Sequence, residues 1–241
     1  MPNSKIGGHY SQAYDEELQQ TVALLMQMAA FAQQQLADAL SAFITADTAL
    51  AQQVKAFDRK VNDFEVDIDE LCLDILARRQ PAATDLRLVL AVLKNINDVE
   101  RIGDLAKRIA KALLKEEANS RPQQSQLDDM AQMGQKVLHM LQRALTAFEQ
   151  MDASAALAVL REDKAIDEDY ARIMQHSLSS MMQDPRQIGI SLQISHVAKA
   201  LERVGDHGRN ICEHTIFLCK GRNVTHLSDE ELQQIVDKQR S

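Results

Sequence analysis

Two stretches of this 241-residue chain share a pattern at a fixed shift of 105 positions. Ala39, Leu40, Ala42, Phe43, Asp47, Val54 and Asp58 recur as Ala144, Leu145, Ala147, Phe148, Asp152, Val159 and Asp163. Further along the shift becomes 102, and Glu100-Arg101-Ile102-Gly103-Asp104 recurs as Glu202-Arg203-Val204-Gly205-Asp206. The change of three is an indel in a connection, where loops absorb length differences. A period this long lies far above the roughly 20–50 residues of solenoid repeats, so it is a duplicated domain. Whatever the first half folds into, the second must fold into as well. The seam falls near Pro122, dividing the chain into residues 1–120 and 121–241.

The nature of the unit follows from its lack of breakers. Average usage predicts roughly 29 Gly plus Pro in a chain of this length, and here there are 8 Gly and 4 Pro. An all-β fold needs those residues at its many turns. Between Pro81, Pro122 and Pro185 the apolar spacing is helical, which predicts an all-α protein with helices near 12–45, 48–79, 83–117, 123–150, 154–183 and 187–220. Asp47 and Asp152 stand where N-caps are needed, and Ser228 with Glu231 forms a capping-box pattern for a short C-terminal helix near 229–238. The expected architecture is two tandem antiparallel three-helix bundles followed by that short helix.

A formal charge of −8 opposes direct binding to nucleic acid or to anionic lipid. The polar, Gly-containing start carries no secretory pattern, and the apolar runs at 22–32 and 86–93 fall well short of the ~20 residues that span a bilayer. Cys72, Cys212 and Cys219 are odd in number, without Cys-x-x-Cys spacing, and read as packed reduced thiols in a cytoplasmic protein.

The repeated motif is where chemistry is expected. On the third helix Leu86, Val89, Leu93 and Ile96 form an apolar stripe that continues into Glu100, Asp104 and Lys107, while Val99, Ile102, Ala106, Ile109 and Leu113 take over the core on the opposite side. This predicts Glu100 and Asp104 one turn apart on an outward face, with Glu202 and Asp206 placed alike. Two carboxylates at i and i+4 repel by about 0.2–0.5 kcal/mol, and a mid-helix Gly costs about 1 kcal/mol relative to Ala. Both penalties occur in both copies, and a cation between the carboxylates turns repulsion into chelation. The preceding helices add Asp58 with Asn62, and Asp163 with Asp167, again at i and i+4. All-oxygen ligation suits Mg²⁺, Mn²⁺, Ca²⁺ or iron as an oxo cluster. The alternative is a solvated acidic face neutralised by Arg101 and Arg203.

Other polar residues carry less. His207 follows Asp206, but its counterpart is Leu105, so it is expected on the surface; His139, His176, His196 and His214 share no spacing. Methionines such as Met26, Met130 and Met181 read as adaptable core. The chain has no Glu-x-x-His of the di-iron bundles, no phosphate-binding Gly-rich loop and no His-Glu-x-x-His pair. A metal-dependent carboxylate enzyme or metal store is therefore the second reading, behind a non-catalytic adaptor.

The duplicated Glu-Arg-Ile/Val-Gly-Asp motifs, each near the middle of the last helix of a three-helix unit, resemble those of the PhoU family. So do Arg78-Arg79-Gln80-Pro81-Ala82-Ala83-Thr84-Asp85-Leu86-Arg87, Arg161-Glu162-Asp163-Lys164 and Asn210-Ile211-Cys212-Glu213. The resemblance implies a cytoplasmic, non-enzymatic negative regulator of the phosphate-starvation response, acting as a homodimer between the ATPase subunit of a phosphate ABC transporter and a sensor histidine kinase. It implies contact with the membrane only through those partners. It also implies metal ions, among Mg, Mn, Fe or Zn, held by Glu100 and Asp104 with Asp58, and by Glu202 and Asp206 with Asp163 and Asp167. Asn62, where the second copy has Asp167, lowers the charge of the first set and predicts weaker binding there.

Overall fold

A computed structural model describes residues 12–114 and 121–238, and the side chains of residues 57–59 are left aside. Its helices are α1 (Gln12–Thr45), α2 (Thr48–Arg79), α3 (Ala83–Leu114), α4 (Gln124–Glu149), α5 (Ala153–Leu160), α6 (Asp163–Gln183), α7 (Ile188–Lys220) and α8 (Asp229–Asp237), with one 3-10 turn at Pro185–Gln187. There is no strand among the described residues, and none of their helices is long and apolar enough to cross a membrane. The expected end of the third helix at 115–117 lies outside the described residues.

The reversal of direction is built the same way in both halves. The first helix ends on a left-handed residue, Ala46 at φ 58° and Met151 at φ 50°. The next residue closes that helix with its backbone N–H, Asp47 to Ala42 O and Asp152 to Ala147 O, both at 2.9 Å. This six-to-one bond is the mark of a Schellman end. The same aspartate then opens the following helix with its side chain: Asp47 Oδ1 accepts from Leu50 N at 2.9 Å, and Asp152 Oδ1 from Ser154 N and Ala155 N at 2.9 and 3.0 Å. One residue thus satisfies orphan groups of two helices. At the far end Ser228 and Glu231 form the expected capping box of α8, whose C-terminal carbonyls at Val236 and Lys238 accept from Lys220 Nζ.

One helix differs from expectation. The run 154–183 breaks at Arg161-Glu162, where Glu162 N and Ala165 N bond three residues back instead of four. Both residues at the break are held sideways: Arg161 donates to Gln233 of α8 at 2.9 Å, and Glu162 pairs with Arg143 of α4. Their equivalents in α2 lie within an unbroken helix.

Within each half the helices pack pairwise, and across the halves α3 lies against α7 and α1 against α4. One apolar cluster runs continuously from Leu18 and Leu25 through Ile96, Ile102 and Ile109 to Met130, Phe148, Val204 and Leu232. α3 and α7 are antiparallel, since Arg87 Nε near the start of α3 donates to Leu218 O near the end of α7 (3.1 Å) and Gln193 Nε2 donates to Ala112 O (3.1 Å). The α1–α4 contact depends on Gly134, where a Cβ would stand 2.1 Å from Leu40 Cδ2. Because Leu40 is itself buried, Gly134→Ala is expected to lower stability by about 1–3 kcal/mol through overpacking, read as a drop in the thermal or urea midpoint.

Candidate functional site

The second copy of the motif faces α6. Asp163, the first residue of α6, is 5% exposed, and its Oδ2 lies 3.7 Å from Arg209 Nη1 of α7. Its Oδ1 is buried with no hydrogen-bond partner, as is Glu202 Oε2. The other Glu202 oxygen accepts from Lys199 Nζ at 2.6 Å. Burial, together with the nearby Asp167 and Asp206 carboxylates, pushes Asp163 up to about 6. Asp206 is raised as well, by burial first and by Glu202 next. The four candidate carboxylates of this copy therefore share one electrostatic neighbourhood. They do not converge on a point: among the described residues no three His, Cys, Asp or Glu side chains form a ready coordination sphere.

The structure explains the glycine of the second motif. A Cβ at Gly205 would stand 3.1 Å from Asp163 Oδ1 and 3.3 Å from Ile166 Cδ1. The hydrogen in place of a side chain lets the α6 carboxylate lie against the α7 backbone. At Gly103 the nearest atoms are farther, Gln35 Oε1 at 3.4 Å and Val61 Cγ1 at 3.6 Å. Gly103→Ala is therefore expected to raise the melting temperature by gaining up to about 1 kcal/mol of helix propensity. Gly205→Ala should gain less or lose stability, because Asp163 and Ile166 must give way.

The first copy is organised differently. Arg101 Nε lies 3.4 Å from Glu100 Oε2, and its Nη1 lies 3.7 Å from Asp104 Oδ2. Asn62 is exposed, and the side chain of Asp58 lies outside the described residues. Arg101 takes the neutralising part expected of it, whereas Arg203 pairs with no carboxylate among the described residues and Lys199 takes that part in the second copy.

Glu100 and Glu202 correct the outward-face expectation. Their side chains are only 20% and 13% exposed. α3 and α7 each pack against neighbours on several sides, so the face opposite the core stripe of one helix becomes the floor of a groove against α2 or α6. His207 is a second correction. It lies in the α3–α7 interface, with Nδ1 2.7 Å from Asp98 Oδ1, which also accepts from Asn210 Nδ2 at 2.9 Å. His214 Nδ1 lies 2.7 Å from Asn95 Oδ1, and since an amide oxygen only accepts, Nδ1 carries the proton. Burial holds His214 below the usual imidazole range, against the pull of Asp98. Of the four polar residues in the run 88–99, Lys94, Asn95, Asn97 and Asp98, the structure buries Asn95 and Asp98 and exposes the other two, and Gln35, buried with its Oε1 unpartnered in α1, is a similar buried polar group.

Two buried carboxylate oxygens without partners beside two further acids fit a hard cation, which prefers oxygen donors. Asp163, Asp167, Glu202 and Asp206 are the residues that would hold it. In metal-free protein, Asp163 titrates near 6 when folded and near its ordinary value of 3.8 when unfolded. The unfolded chain thus holds fewer protons between those values, and this group's unfavourable contribution grows as pH rises through that window and is complete above it. Asp163→Asn is expected to raise the melting temperature at neutral pH, with the advantage shrinking as pH falls from 6 toward 4.

The duplicated helical fold has counterparts among known proteins. The PhoU domain matches twice, over residues 25–113 and 130–215. The phosphate-specific transport system accessory protein PhoU homolog of Pseudomonas aeruginosa is 40% identical over 234 residues, spanning 96% of each chain. The phosphate-specific transport system accessory protein PhoU of Escherichia coli K12 is 37% identical over 236 residues, 98% of this chain and 97% of the relative. The crystal structure of PhoU from Pseudomonas aeruginosa superposes with a TM-score of 0.82 at 41% identity, covering 87% of this chain and 100% of that one. A phosphate transport system regulatory protein PhoU from Streptococcus pneumoniae does so with a TM-score of 0.81 at 29% identity, covering 88% and 99%. With both halves matched and the relatives aligned over nearly their whole length, the chain belongs to the PhoU family.

Proposed function

We propose that this protein regulates phosphate transport as a non-catalytic accessory of a phosphate ABC transporter. The supporting observation is the end-to-end similarity to proteins named as accessories of the phosphate-specific transport system. In this reading it is a cytoplasmic negative regulator that contacts the transporter's ATPase subunit and a sensor histidine kinase, works as a homodimer, and holds the starvation response off while phosphate is plentiful. The duplicated acidic grooves are consistent with two contact faces, and the charge of −8 would speed encounter with basic partners in a salt-dependent way.

Deletion should leave phosphate-starvation genes on in high phosphate, read with a reporter fusion. A reporter that stays repressed in the deletion strain would refute the regulatory role.

The acidic grooves are proposed to bind a divalent or trivalent cation whose part is to neutralise the carboxylates and fix α2 against α3 in the first copy and α6 against α7 in the second. Glu202→Ala with Asp206→Ala should lower the bound metal measured by elemental analysis. The same change at Glu100 and Asp104 should remove less, because Arg101 already neutralises that pair and Asn62 contributes no charge. Equal metal content in wild type and the Glu202/Asp206 variant would count against the second site.

A further inference from the structure

The duplication lets one end of the α3–α7 interface be compared with the other. At a shift of 102, Asn95, Asp98, His207, Asn210 and His214 correspond to Val197, Ala200, Leu105, Arg108 and Ala112. The first set fills its end with hydrogen bonds between the helices. The second set leaves a cavity of about 440 Å³, with Leu105, Ala112 and Ala200 as its apolar wall. Around that wall stand Arg108 and Lys111 from α3 and His196, Lys199 and Arg203 from α7, and no acidic residue among the described ones lines it. Lys199 is engaged by Glu202. Arg108, Lys111 and Arg203 have no ion-pair partner among the described residues, in a chain with eight more acids than bases.

Three uncompensated cations around one concavity repel one another. A cavity between rigid helices with small side chains for a wall and cations for a rim matches a small ligand that brings negative charge with it. Two guanidinium forks suit the planar oxygen pairs of phosphate groups, and the facing lysine adds a point charge. The volume exceeds what a single tetrahedral oxyanion fills and lies within the range of roughly 300–1,000 Å³ typical of small-molecule sites. We propose that this cavity binds a phosphate-bearing small molecule of nucleotide size, with Arg108, Lys111 and Arg203 on its phosphates and Leu105, Ala112 and Ala200 against its less polar part. The inference stands on the cavity alone and does not depend on the regulatory reading.

Calorimetric titration of the full, metal-stripped chain at about pH 8, where an ordinary imidazole is neutral, tests it with inorganic phosphate, pyrophosphate and ATP at matched ionic strength. Saturable binding of one molecule per chain is expected, with pyrophosphate or ATP tighter than inorganic phosphate and all affinities falling with added salt. Arg108→Gln with Arg203→Gln should weaken it by about tenfold or more, as loss of charge-assisted hydrogen bonds does. Lys111→Gln is a separate probe expected to weaken binding in the same direction. Melting curves without ligand confirm that each variant is folded. Vesicles of phosphatidylglycerol in phosphatidylcholine form a parallel arm. Retention on them that pyrophosphate displaces and the double variant loses would support the site and assign its phosphate to a lipid headgroup. Absence of saturable binding in every arm, or equal affinities in wild type and both folded variants, would overturn the proposal.

Discussion

The contact between α3 and α7 governs the rest of the molecule. Each is the last long helix of its repeat, and each must bury apolar side chains against its own two companions and against the other repeat at once. Such a helix keeps only a narrow exposed strip, which Arg101 occupies on α3 and Arg203 and Asp206 on α7. Glu100 and Glu202 therefore lie in grooves, Asp98 lies in an interface, and each buried polar group needs a partner or carries a desolvation penalty. Asp98 has its partners in His207 and Asn210, whereas Asp163 Oδ1 and Glu202 Oε2 have none. That difference separates a structural polar cluster from a candidate ligand site.

α7 carries opposite charge on neighbouring faces. Toward α6 it presents Glu202 and Asp206, and toward the end of α3 it presents His196 and Arg203, with Lys199 reaching from the cavity rim to Glu202. A net charge of −8 conceals this separation, because it averages an acidic groove with a basic cavity. The field at a site is set by the few charges nearest to it, and within a Debye length of about 8–10 Å those local groups dominate.

Much of the fold is legible in the sequence for local reasons. Scarcity of Gly and Pro leaves few places for helices to end, and Asp47 and Asp152 announce their turns by residue type alone. The break at Arg161-Glu162 is not legible, because its cause is the pairing of those residues with Arg143 and Gln233, far away in sequence. The acidic residues of the second site could be picked out from the repeat, but not the burial of Asp163 and near-burial of Glu202 beside the exposed Asp167 and Asp206, since a single helical wheel knows one partner and α7 has several. The place of His207 in the α3–α7 interface is hidden from the wheel for the same reason. The basic cavity leaves no trace along the chain, because Lys111 and His196 meet only when α3 and α7 align antiparallel.

Joining two copies of one unit in a single chain changes what substitution can do. Two separate identical units pairing through their third helices would be related by a true two-fold axis, and any side chain placed at one end of the interface would appear at the other as well. An aspartate at position 98 would then be matched by an aspartate in place of Ala200, and the interface would be locked at both ends or open at both. A continuous chain removes that obligation, so one end could become the hydrogen-bonded cluster that fixes the angle between the halves while the other kept small residues and an opening. The broken symmetry of this interface is thus a division of labour, in which rigidity and vacancy occupy equivalent positions of the same fold.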